Sequence, residues 1–206
     1  MHISEGILSW QALAGGGALA LAGTAVGIRQ LDHEKIPQTG MLSAAFFVAS
    51  LIHIPLGPSS VHLILNGLVG LILGWSAFPA IFIALLLQAV LFQYGGITTL
   101  GVNTVIMALP ALLSYCLFRP FVKKSDTSVF IGAFLCGMAA VFASALLAAA
   151  VLVWSEESFF QVALLIVTAH LPVMIIEGLI TGFAALFLKK VKPSLLDRET
   201  GIKEKP

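Results

Sequence analysis

Met1 and His2 could form a chelate whose chemistry depends on their position in the chain as much as on their residue types. With a free amine at Met1, three nitrogens from consecutive groups face one ion: the amine, the deprotonated His2 amide and the His2 imidazole. The fused chelate rings hold these donors near one plane, and a fourth nitrogen completes a square. Square-planar nitrogen coordination suits Ni(II) or Cu(II), whereas Zn(II) prefers a tetrahedron. The chelate requires that the chain start at Met1. Ala20-Leu21-Ala22 is similar to the small-residue cleavage site of a leader, but a leader needs a positive n-region. Here the first basic side chain, Arg29, comes after the apolar run. A retained first helix with Met1 as the terminus is expected.

The fourth donor with the best claim is His62, which follows the turn Gly57-Pro58-Ser59-Ser60. Taken alone, a histidine at a helix end is more often satisfied by backbone. A Met1-His2 pair on the same side of the membrane, lacking a fourth donor, shifts the balance towards a ligand. Asn66, one helical turn later, either steadies that imidazole as an outer partner or bonds between helices. His53 reads as an interfacial histidine, with a fifth-ligand role as the alternative. His33, in the charged run Leu31-Asp32-His33-Glu34-Lys35, reads as solvated. His170 and Glu177 share one face of the last helix. A carboxylate in a membrane span costs about 2.5–3.5 kcal/mol on insertion scales, so Glu177 is expected to face inward and lock packing, with proton relay or contact with a partner subunit as the alternatives.

These residues need a membrane to hold them in place. The 206 residues are 59% hydrophobic and 10% charged, far below the charge of a soluble domain. The expectation is an all-α membrane protein forming one integral membrane domain over residues 1–206. About seven transmembrane helices are expected, at 7–28, 39–54, 60–75, 78–94, 103–119, 128–154 and 159–188. The last is long enough to tilt or to break near Pro172. Ser59 or Ser60 would cap the third helix and place His62 in its first turn. Arg29, Lys35, Arg119, Lys123, Lys124, Lys189, Lys190 and Lys192 all fall in odd-numbered loops or the C-terminal tail. The even loops carry no Lys or Arg, and the sixth holds Glu156 and Glu157. The positive-inside rule then predicts an outside N-terminus and a cytoplasmic C-terminus, as an odd number of spans requires.

This orientation puts Met1-His2, the Gly57–Ser60 turn, the loop Gly95–Asn103 and the turn Trp154–Ser158 on the outer side. The glycines of the 95–103 loop permit close backbone approach, so it could cover a small site. Gly23–Gly27, Gly70–Gly74 and Gly178–Gly182 match GxxxG and read as helix packing. The net charge of +1 and the lack of a basic cluster exclude nucleic acid as a partner. HExxH, GxSxG and nucleotide-binding loops are absent, so the chain is expected not to be an enzyme.

Met1-His2-Ile3-Ser4-Glu5-Gly6, Gly57-Pro58-Ser59-Ser60-Val61-His62-Leu63 and Gln93-Tyr94-Gly95-Gly96-Ile97-Thr98-Thr99-Leu100-Gly101-Val102-Asn103-Thr104 resemble the CbiM/NikM family. These are the substrate-binding membrane components of energy-coupling-factor transporters for nickel and cobalt. The resemblance runs over nearly the whole chain. It implies a six-helix core with an extra N-terminal helix, and location in the inner cell membrane. It also implies coordination by the Met1 amine, the His2 amide and imidazole, and His62. The metal would be cargo rather than cofactor, in uptake tied to cobalamin biosynthesis. The partners implied are a transmembrane coupling subunit, two cytoplasmic ATPase subunits and often a small accessory membrane subunit.

Nickel is favoured by coordination geometry and cobalt by the family's usual labels, while raw affinity would favour copper over both. An alternative reading is a self-sufficient, gradient-driven metal permease using His170 and Glu177. A third, an intramembrane metalloenzyme, would need an acidic base beside His62, for which only Glu5 is near.

Overall fold

The computed structural model describes residues 2–51, 53–56, 59–122 and 125–196. Among them are seven α-helices and one short hairpin: α1 (Trp10–Arg29), α2 (Ile36–Ala49), β1 (His53–Leu56), β2 (Ser59–His62), α3 (Asn66–Leu73), α4 (Ala77–Phe92), α5 (Leu100–Val122), α6 (Asp126–Ser155) and α7 (Phe160–Val191). Five stretches are long and apolar enough to cross a bilayer, with α3, a 3-10 turn and α4 together forming one of them, Asn66–Phe92. The 14-residue α2 is too short to be a sixth by that measure. Leu19, Leu21, Leu87, Leu91, Phe183 and Phe187 project outward from several helices, as a lipid solvent requires. The chain is a multi-pass membrane protein.

Helix starts follow the local chemistry. Ser9 caps α1, its hydroxyl accepting from the Ala12 amide at 3.4 Å, and Ser125 caps α6 in the same way through Ser128. Pro37 lies in the first turn of α2, where its missing N–H leaves no bond unmade. Packing depends on small residues, because lipid tails give apolar side chains no reason to leave them. Gly70 lies against Ala111 of α5, where an added methyl would collide with the Ala111 carbonyl oxygen. Gly178 and Gly182 seat α7 against Phe134 and Phe130 of α6. Pro172 stands inside an unbroken α7.

The segment between α2 and α3 departs from the expectation. Helix α2 begins and ends earlier than 39–54, and the third helix begins at Asn66 rather than Ser60. His62 therefore lies on a strand, outside any helix, and residues 59 and 60, expected to cap a helix there, belong to the same strand. β1 and β2 pair antiparallel in the register His53↔His62, Ile54↔Val61, Pro55↔Ser60 and Leu56↔Ser59. The Gly57-Pro58 turn between them lies outside the described residues, as do Lys123 and Lys124. The late start of α3 has a physical cause in Glu177. Its carboxylate accepts from the Ile64 amide and, at 3.0 and 2.9 Å, from the Leu65 amide. Leu65, at φ +56, takes the left-handed conformation just before α3. A distant carboxylate thus satisfies the two amides immediately before α3.

Candidate metal site

The residues before α1 fold back into the bundle between the hairpin, α4 and the loop preceding α5. Asn103 fixes this segment at Ile3: its Oδ1 accepts from the Ile3 amide at 2.9 Å, and its Nδ2 donates to the Ile3 carbonyl at 3.1 Å. Thr99 donates to the same carbonyl at 2.9 Å. Ile3 is fully buried. Farther out, Glu5 accepts from the Thr98 amide at 3.1 Å. The loop contains Gly95, whose φ of +78 suits glycine and whose backbone passes close to His2 and Asn103. With α5 beginning at Leu100, the covering loop is shorter than expected, 93–99.

This bracket buries His2 beside His62, at 5% and 3% exposure. Their ring centroids are 4.6 Å apart with 30° between planes, and Tyr94 stands 6.1 Å from His2. Each imidazole has its proton placed by a partner. His2 Nε2–H donates to Gln88 Oε1 at 2.6 Å. Gln88 cannot turn the other way, because its amide nitrogen donates to the Phe47 carbonyl and to the Ser50 hydroxyl. The His2 lone pair is therefore on Nδ1, the ring nitrogen nearer its own backbone amide. His62 is oriented in the opposite sense: Nδ1–H donates to the Leu63 carbonyl at 2.7 Å, and Nε2 is buried with no hydrogen-bond partner among the described residues. Burial holds the His62 imidazole well below its ordinary value, so it is neutral at pH 7 and presents a lone pair.

Among the described residues, no three His, Cys, Asp or Glu side chains gather as a metal cage. Two imidazoles alone make a poor site for a divalent ion, and further donors have to come from backbone or terminus. Met1 lies outside the described residues.

Asn66, in contrast, is not placed to orient His62. Its Nδ2 donates to the Met107 carbonyl and the Ser144 hydroxyl, tying α3 to α5 and α6. Glu5 is held by Thr98 rather than poised as a base beside His62. Glu177 is fully buried and bonded to the turn after His62. His33 lies at the surface. The functional residue that sequence reasoning missed is Gln88. Its signal was present: a lone amide in the middle of the apolar run Phe78–Phe92, where a polar side chain needs a partner.

Residues 2–195 match the family model for CbiM, described as a cobalt uptake substrate-specific transmembrane region. A Haemophilus influenzae protein carrying the provisional name of a metal transport protein is 42% identical over 203 residues, spanning 96% of this chain and 98% of its own. The cobalt transport protein CbiM of Sorangium cellulosum is 32% identical over 96% of this chain and 95% of its own. A crystal structure of a transition metal transporter superposes with a TM-score of 0.82 at 29% identity, over 93% of each chain. The chain belongs to the CbiM family of cobalt-uptake substrate-specific transmembrane components.

Proposed function

We propose that this chain is the substrate-binding membrane subunit of an ATP-driven energy-coupling-factor transporter, taking Ni(II) or Co(II) from outside the cell. The donors are the Met1 amine, the deprotonated His2 amide, His2 Nδ1 and His62 Nε2. In such a plane the amine and the His2 imidazole are opposite one another, so the fourth donor stands beside the His2 ring. With metal–nitrogen bonds of about 2 Å, neighbouring imidazoles on one ion have centroids about 4.5 Å apart. The observed separation of 4.6 Å is the observation that carries the reading. The opposed proton placements on the two rings support it, since each leaves its lone pair on the nitrogen the plane uses.

The topology that serves this function has seven spans, a six-helix core preceded by α1, with the N-terminus outside and the C-terminus in the cytoplasm. The Asn103 and Thr99 bonds to Ile3, with Glu5 on Thr98, close the 93–99 loop over the bound ion. The chain itself catalyses nothing. ATP hydrolysis in two partner ATPases, passed through a transmembrane coupling subunit, reorients this subunit and pulls the N-terminal segment out of register with His62. The metal is cargo, held without a resident cofactor. Square-planar geometry favours nickel, and the family's cobalt-uptake description makes cobalt the other candidate.

Glu177 and His170 are tied to backbone groups of Leu65 and Ile166, which supports a structural role over a proton path. The experiment that separates the readings is radioactive Ni(II) uptake into liposomes holding this chain alone. No uptake against a gradient is expected without ATPase partners. Concentrative uptake driven by a proton gradient would overturn the reading in favour of a self-sufficient permease.

A further inference from the structure

The protons of the His2–Gln88 pair are ordered from a helix end that supplies no metal donor. Phe47 lies in the last turn of α2, where a carbonyl loses its partner within the helix. The Leu51 amide, which would bond it in a continuing helix, turns to the Val48 carbonyl at 3.1 Å instead. Side chains meet the Phe47 carbonyl: the Ser50 hydroxyl donates to it at 3.0 Å and the Gln88 amide at 3.3 Å.

A carbonyl can only accept, and that fixes each later proton in turn. Ser50 commits its hydroxyl proton to Phe47, so its oxygen accepts from the Gln88 amide nitrogen. With that nitrogen held towards α2, Gln88 Oε1 faces His2 and accepts from Nε2 at 2.6 Å. Ser50 and Gln88 are both fully buried, so these bonds are shielded from water. Of the two acceptors for the Gln88 amide nitrogen, Ser50 is the nearer.

A second serine joins the same two helices away from the metal. Ser43, two turns before Ser50 on the same face of α2, donates to the Ala80 carbonyl at 2.7 Å. Ala80 stands about 12 Å along α4 from Gln88. Two serines thus make the same kind of bond between α2 and α4, and one of them leads to His2.

We propose that Ser50 is a positioning residue for the metal site: from the end of α2 it aims the Gln88 amide and thereby keeps the His2 lone pair on Nδ1. This rests on the coordination proposed above. Ser50 is not a donor and acts through Gln88. Without its oxygen the amide keeps the more distant acceptor alone and can rotate. Its nitrogen then faces His2 part of the time and favours the tautomer protonated on Nδ1, the nitrogen the chelate needs bare.

The test uses the purified full-length protein in detergent, with Ni(II) as the probe. Ser50→Ala should weaken Ni(II) binding about 3- to 10-fold, the scale of one hydrogen bond. In a Gln88→Met background the same change should have no further effect, because no amide remains to aim. In the metal-free protein, the NMR shifts of the two His2 ring nitrogens are widely split when one tautomer dominates, and Ser50→Ala should draw them together. Ser43→Ala, which removes the other bond between α2 and α4, should leave affinity and shifts as in the parent. Unmoved His2 shifts in Ser50→Ala, equal weakening with and without Gln88, or the same effects from Ser43→Ala would overturn the positioning role and leave the chelate standing. Ni(II) binding undiminished by His2→Ala would instead overturn the chelate, and the role of Ser50 with it.

Discussion

His2 donates its Nε2 proton to Gln88 Oε1 at 2.6 Å, across 86 residues of sequence. That bond decides which nitrogen of His2 can meet a metal. An imidazole that chelates together with its own backbone amide must use Nδ1, and Gln88 holds the ring in the tautomer that allows it.

Gln88→Met keeps the volume and removes the acceptor. Nickel affinity should fall about 10- to 100-fold, the usual effect of losing an outer-sphere partner of a ligating histidine. Isothermal titration calorimetry on the purified protein measures it. Unchanged affinity would mean that the His2 ring is oriented by other contacts.

His62→Ala should cost more than Gln88→Met, since it removes a donor outright. The pH dependence carries a sharper signature. Burial keeps His62 neutral at pH 7, so its coordination releases no proton. The amine and the His2 amide must each lose one, and binding weakens as pH falls. His62→Ala should therefore weaken binding without flattening the pH slope between about pH 6.5 and 8, near the ordinary histidine and amine values. A slope reduced by a full proton would show that His62 is charged before metal arrives.

Glu177→Ala strips the acceptor from the Ile64 and Leu65 amides. Each buried amide left unpaired costs about 1–3 kcal/mol, and the turn that carries His62 loses its anchor. Thermal unfolding in detergent should shift sharply downward and bound metal should fall with it. Glu177→Gln, which retains one acceptor oxygen, should recover part of both. A Glu177→Gln protein that is stable and binds metal fully, yet takes up none in cells with intact partners, would argue for proton relay.

Much of the scaffold was legible because a bilayer leaves few options. Length and apolar composition marked the first helix and the last three to within about three residues, whereas the expected second to fourth spans correspond to the 14-residue α2 and the single stretch Asn66–Phe92. The glycines at 70, 178 and 182 marked close helix contacts. The hairpin was hidden because Ser59 and Ser60 look like helix caps, and the amides near the start of α3 are capped by a residue 112 positions away. His2 and His62 were legible as chemistry. Gln88 and the Asn103 bracket were not, since a buried amide gives its partner away only once the helices are placed.

Gly95→Ala tests the covering loop. At φ +78 a side chain costs about 1–2 kcal/mol, and its Cβ would lie 2.8 Å from Asn103 Nδ2, the group that holds Ile3. Metal dissociation, followed by competition with a chromogenic chelator, should accelerate while the fold survives. An unchanged off-rate would mean the loop does not retain the ion.

The most direct measurement inserts two residues between the initiating methionine and His2 and determines nickel and cobalt in the purified protein. One inserted residue would leave Met-Xaa-His, which still closes a planar four-nitrogen chelate, whereas two carry the amine too far from the His2 amide for the rings to close with the imidazole. The account predicts that the extended chain folds as before and loses most of its bound metal, while a conservative Met1→Leu change that retains its free terminal amine keeps it. Full metal content in the extended chain would contradict the chelate.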